Sequence, residues 1–139
     1  MMSIGIGVYA IGSKEAVELY RNAFGLELGY HVLNEDGNYF HSELLKDGEP
    51  FLAVAEVNNE NRPDAMDLSH NNPVELGYTV ESKDEFYRIF AVLKEEGRVI
   101  IDPCTLPWSP LATVVMDRFG VRWYITLPQH RPVDQESVF

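Results

Sequence analysis

His41 and Glu43 stand two residues apart in the run Tyr39-Phe40-His41-Ser42-Glu43-Leu44. In an extended strand that spacing puts Tyr39, His41 and Glu43 on one face and Phe40, Ser42 and Leu44 on the other. A histidine beside a carboxylate suits a general base with an orienting acid, or two ligands of an unusual metal site. A strand with one solvated face and one packed face produces the same alternation, so the pattern alone does not separate these readings. His31, next to Tyr30 on the preceding strand-like run, can bring a second imidazole toward His41. His70 falls in an asparagine-rich stretch and His130 near the end; both read as exposed.

Trp108 lies in Pro103-Cys104-Thr105-Leu106-Pro107-Trp108-Ser109-Pro110. A proline-stiffened loop carrying an aromatic either lids a pocket, plugs one end of a barrel or meets another subunit. Cys104 is the single cysteine. It has no base beside it in sequence, which makes it a poor nucleophile candidate. It also excludes an internal disulfide, so a cytoplasmic location is expected. No phosphate-cradling glycine loop, serine elbow, zinc-finger spacing or basic patch is present.

The 139 residues carry 22 acidic and 11 basic side chains, a net charge of −11. Such a surface repels phosphate backbones and anionic lipid, which argues against nucleic-acid and membrane partners. Hydrophobic residues make up 45% and aromatics 12%, enough for a packed core and too much for a disordered chain. The N-terminus Met1-Met2-Ser3-Ile4-Gly5 has neither a basic region nor a long apolar stretch, so no signal peptide is expected.

The elements that position these residues come from an internal repeat. Tyr9-Ala10-Ile11-Gly12-Ser13-Lys14-Glu15 is answered by Tyr78-Thr79-Val80-Glu81-Ser82-Lys83-Asp84. Each copy runs from a short apolar segment into a serine able to cap a helix, and Glu85 completes a capping box with Ser82. Val17, Tyr20 and Phe24 then recur at helical spacing, as do Phe86, Ile89, Phe90 and Leu93. Gly25 and Gly97 stop the two helices. Three strand-like runs follow each: about 27–33, 39–45 and 51–55, then about 98–101, 111–116 and 121–126. The expected fold is α+β. Two βαβββ units, about 4–57 and 73–127, pair within a single domain over 1–130 to leave a cupped mixed sheet with a cleft and with helices outside. The stretch from Asn58 to Pro73, with five asparagines and two prolines, is the connector (about 58–72), and residues 131–139 are a tail.

The run Glu18-Leu19-Tyr20-Arg21-Asn22-Ala23-Phe24-Gly25-Leu26-Glu27 resembles the helix-and-exit motif of the vicinal-oxygen-chelate superfamily, which includes glyoxalases, extradiol dioxygenases and bleomycin- and fosfomycin-resistance proteins. Phe40-His41-Ser42-Glu43-Leu44 and Asp117-Arg118-Phe119-Gly120-Val121-Arg122-Trp123 look like its PhnB-like branch. The resemblance implies metal ligands, usually His and Glu, on the first and last strands of each half. Here Ile4–Tyr9, Phe51–Ala55 and Trp123–Thr126 offer none, and only Glu75 falls at such a position. The resemblance also implies a homodimer. The expectation is therefore a small-molecule-binding protein without a metal or other cofactor, its ligand contacting Tyr39, His41, Glu43, Glu75, Trp108 and Tyr124. The alternative is a metal-dependent lyase, isomerase or dioxygenase using His41, Glu43 and Glu75.

Overall fold

A computed structural model describes residues 4–58 and 74–128. The sequence readings of His70, His130, the tail and nearly all of the connector fall outside those residues. The chain divides into two compact units, Met1–Pro73 and Val74–Phe139, which match the halves of the repeat.

The first unit runs β1 (Gly7–Ala10), α1 (Ser13–Phe24), β2 (Glu27–Leu33), β3 (Tyr39–Lys46) and β4 (Glu49–Glu56). Its sheet has the order β1-β4-β3-β2, with β1 parallel to β4 and the other pairs antiparallel. The apolar stripe of α1 buries Ala16, Val17, Tyr20, Ala23 and Phe24. This helix packs on β1, β3 and β4, whose Val8, Ala10, Leu44, Leu52 and Val54 are buried. Ser42 is buried on the same side of β3, and its hydroxyl donates to the Val54 carbonyl at 2.7 Å, so no unpaired polar group enters the core.

The second unit repeats the order as β5 (Leu76–Thr79), α2 (Lys83–Lys94), β6 (Arg98–Leu106), β7 (Ser109–Met116) and β8 (Arg122–Leu127). Its sheet is β5-β8-β7-β6, again with the first pair parallel. Phe86, Ile89 and Leu93 are the buried stripe of α2, which packs on β7 and β8 over Val115, Trp123 and Ile125. The α+β class and the twofold βαβββ order follow the expectation from the repeat.

The two helices begin and end by different devices. Ser82 accepts the Glu85 N–H at 3.1 Å while the Glu85 carboxylate accepts the Glu81 N–H at 2.8 Å, a reciprocal cap. Ser13 caps nothing in α1. Its hydroxyl accepts the Tyr39 N–H instead, and the helix start is served by Glu56 from the end of β4. Gly25 ends α1 in the left-handed region at φ 67°. Gly97 acts otherwise: Glu96 holds the positive φ, and a Cβ on Gly97 would collide with the Met116 carbonyl oxygen and sit 3.1 Å from the Asp117 Cα.

The strand expected over 98–101 instead extends to Leu106, so the segment read as a loop is mostly strand. β6 is the edge of its sheet, and an edge strand tolerates Pro103, whose missing N–H costs no ladder bond on the open side. Leu106 pairs with Ser109, leaving Pro107 and Trp108 as a two-residue hairpin tip. Beyond β7, the buried carboxylate of Asp117 accepts the Phe119 and Val121 N–H groups and the Trp123 indole N–H, at 2.9, 3.0 and 2.9 Å. One side chain thus closes the turn into β8 and orients the largest residue of the core.

Candidate functional site

On β3, Ser42 and Leu44 face the helix and are buried, which leaves His41 and Glu43 on the helix-free face. Their side chains meet: His41 Nε2 lies 2.9 Å from Glu43 Oε2, with the two 39% and 48% exposed. The Tyr30 ring lies against the imidazole at a centroid distance of 6.1 Å. Beside Glu43 the register places Ala53 of β4 and then Gly7 of β1, with Ala55 opposite Tyr9 one step along. The pair therefore has glycine and alanine beside it on β1 and β4, with the exposed Tyr9 ring one step along. An imidazole hydrogen-bonded to a carboxylate through one nitrogen keeps its other nitrogen for a ligand.

Tyr39 does not join this face as alternation implied. A register shift at the start of β3 pairs Val32 with His41 but Leu33 with Tyr39. Neighbours on a strand point to opposite faces, so the irregularity takes Tyr39 out of phase with His41. Tyr39 packs edge-on against His31, with centroids 5.7 Å apart. A second shift, between Leu28 and His31, turns Tyr30 toward His41 in place of His31, whose Nδ1 bonds the Gly29 carbonyl at 2.9 Å. Phe40, expected under the helix, is 59% exposed at the same irregular strand start.

In the second unit β8 alternates cleanly. Trp123 and Ile125 are buried toward α2, and Arg122, Tyr124 and Thr126 occupy the other face. Arg122 Nε donates to Glu75 Oε2 at 2.6 Å, which joins the residue preceding β5 to the first residue of β8. From the hairpin tip, Trp108 Nε1 donates to the Tyr124 hydroxyl at 2.8 Å, although Trp108 is 52% exposed. Cys104 is a half-buried free thiol on β6. Two members of these arrangements escaped the sequence reading. Arg122 was legible from its two-residue spacing to Tyr124, whereas Tyr30 depends on a bulge that no local pattern marks.

Of the expected ligand set, the structure joins His41 to Glu43 and Trp108 to Tyr124, and gives Glu75 an arginine partner. Among the described residues no three His, Cys, Asp or Glu side chains group as metal ligands would. No helix among them is long and apolar enough to cross a membrane.

A family model described as the Glyoxalase/Bleomycin resistance protein/Dioxygenase superfamily matches residues 6–125. Among solved structures, a protein from Pseudomonas aeruginosa is similar at TM-score 0.75 and 21% identity, over 94% of this chain and 100% of that one. The PhnB protein from Bacillus cereus is similar at TM-score 0.74 and 19% identity, over 91% and 99%. The fosfomycin resistance protein FosX from Listeria monocytogenes, solved with Mn(II) and sulfate, is similar at TM-score 0.64 and 11% identity, over 93% of each chain. At these identities the likeness is one of fold. No curated protein matches the chain significantly in sequence.

Proposed function

Because the chain belongs to the Glyoxalase/Bleomycin resistance protein/Dioxygenase superfamily, we propose that it holds a small organic molecule on the helix-free face of its first sheet, with His41 and Glu43 as the orienting polar groups. The 2.9 Å contact between His41 Nε2 and Glu43 Oε2 carries this reading. A half-exposed, pre-paired imidazole over alanine and glycine, flanked by Tyr30, matches the composition of a ligand site: mostly apolar, with a few fixed polar groups. The acidic charge of −11 favours a neutral or amphipathic ligand over a phosphorylated one.

The divalent metal typical of the superfamily is not part of this proposal. On the paired strands β1 and β4 of the first sheet the helix-free positions are Gly7, Tyr9, Ala53 and Ala55, which supply no carboxylate or imidazole. On the second sheet Glu75 is already neutralised by Arg122. That donor set does not fit a divalent ion, because such sites draw on several convergent His or carboxylate ligands. It weighs against the metal-dependent lyase, isomerase or dioxygenase alternative.

A cytoplasmic homodimer belongs to the same proposal. The single cysteine and the exposed apolar side chains Tyr30, Val32 and Leu33 on edge strand β2 support it. Sedimentation showing only monomer at micromolar concentration would remove the dimer.

Binding is tested by a thermal-shift screen of neutral and amphipathic compounds, followed by His41→Ala and Glu43→Gln on each hit. Losing the oriented imidazole costs about 1–3 kcal/mol, roughly tenfold to a hundredfold in affinity. Hits that bind both variants as tightly as the parent would overturn the site.

A further inference from the structure

We propose that the helix-free face of the second sheet binds a neutral, planar molecule bearing a carbonyl oxygen, with Trp108 as stacking platform and the Tyr124 hydroxyl as donor. The proposal shares the small-molecule reading above but uses a different sheet and different residues.

Trp108 sits at a two-residue hairpin tip, where nothing in the backbone requires a large side chain. Its ring is half exposed, yet its one polar atom is fixed on Tyr124 across 16 residues. An indole held at its edge keeps its face free for stacking at little entropic loss. The Tyr124 hydroxyl accepts that indole N–H, and its own proton has no acceptor among the described residues. A hydroxyl that already accepts a hydrogen bond is polarised into a better donor. The Thr126 hydroxyl, two residues along on the same face, likewise has no partner among the described residues. Beside Tyr124 the register places Gly77 on β5, which has no side chain to crowd the ring, and on the other side Val114, with Ala112 opposite Thr126; both of these β7 residues are buried. The result is an aromatic shelf beside a row of hydroxyl donors, a match for a flat ring with one acceptor oxygen.

Charge decides between a carbonyl and a carboxylate. The one cation of β8 on this face, Arg122, is neutralised by Glu75 at 2.6 Å. The whole chain carries −11. No uncompensated positive charge on β8 draws an anion to this shelf, so the acceptor that fits is neutral.

The two tryptophans make the test internal. In proton–nitrogen correlation spectra of the full chain, acetophenone should displace the Trp108 indole resonance and leave that of Trp123, which is buried and bonded to Asp117, in place. Benzoate and ethylbenzene should bind more weakly than acetophenone, the first for its charge and the second for its missing acceptor. Tyr124→Phe should weaken acetophenone at least about tenfold, with the Trp123 resonance unmoved as proof of an intact core. A Trp108 resonance unmoved up to the solubility limit, equal affinity in Tyr124→Phe, or tighter binding of benzoate would overturn the proposal. If Tyr124→Phe does not fold, Trp108→Ala at the exposed tip carries the test by ligand-observed saturation transfer. Loss of the acetophenone signal supports the shelf, and an unchanged signal overturns it. Hits lost on His41→Ala but kept on Trp108→Ala would refute this shelf alone and leave the first-sheet site standing.

Discussion

The carboxylate of Glu56 accepts the backbone N–H of Ser13 at 2.8 Å across 43 residues. It also accepts the Gly12 N–H at 3.1 Å, so the last residue of β4 caps the first turn of α1. Gly12, in the left-handed region at φ 87°, has no side chain to do so. The N–H groups of a first helical turn have no partner within the helix, and a carboxylate there also meets the positive end of the helix dipole. Glu56→Ala should destabilise the protein by about 1–2 kcal/mol. Glu56→Gln, which keeps an acceptor and loses the charge, should fall between. Urea unfolding with an unchanged slope and a lowered midpoint is the expected record, and an unmoved midpoint would refute the cap.

Asp117 is the stronger case, because its three donors lie in a buried turn. Asp117→Ala strands the Trp123 indole and two backbone N–H groups, at about 1–3 kcal/mol for each donor that water does not reach. Near-ultraviolet circular dichroism should lose Trp123 asymmetry together with stability. Retention of both would show that the turn holds itself.

Gly97→Ala has a different mechanism. Its φ is not in the left-handed region; the obstacle is the Met116 carbonyl oxygen, a backbone atom that cannot swing aside. Strain of this kind costs about 1–3 kcal/mol. Gly37→Ala, with open space around it but a φ of 88°, should suffer from backbone strain alone. Comparing the two melting temperatures separates collision from dihedral strain, and an unaffected Gly97→Ala midpoint would contradict the close approach.

The Asp36 carboxyl is held below its usual range, first by the Asn38 backbone N–H at 2.9 Å and then by the Asn38 side chain. A carboxyl depressed in the folded state contributes stability that is present above its unfolded pKa and fades as pH falls through the folded one. Asn38→Ala keeps the backbone donor and removes the amide, so Asp36 should rise part of the way toward its ordinary value in a carbon-detected titration. The same variant removes the Asn38 Oδ1 acceptor of the Lys14 N–H, so α1 should fray at its start in hydrogen exchange. An unmoved titration curve would exclude the side-chain contribution.

Glu75 and Arg122 predict the metal behaviour of the chain. With Arg122 Nε donating to Glu75 Oε2, the carboxylate is committed to a guanidinium. Protein prepared without chelator should carry no stoichiometric Zn, Mn, Fe or Ni by elemental analysis. About one metal per chain, lost on Glu75→Ala, would defeat both this prediction and the metal-free reading of function.

The sequence by itself determined what local periodicity encodes. The helical stripes through Tyr20 and Ile89, the Ser82–Glu85 cap and the pairing of His41 with Glu43 rest on spacings of two to four residues, the repeat is the recurrence of such local patterns in both halves, and each has its structural counterpart. Tertiary structure decided whatever depends on strand register or on residues far apart in the chain. A shift of one residue at Leu33 separates Tyr39 from His41, and another exchanges His31 for Tyr30. Bulges arise from how two strands meet, so neither strand alone carries their signal. The edge position of β6 let a proline-bearing segment become strand, and it converted Trp108 from a loop residue to a hairpin tip bonded to Tyr124. Glu56 at the start of α1 and Arg122 on Glu75 belong to the same class. A carboxylate's partner is chosen by what folding brings within 3 Å of it, and sequence distance says nothing about that.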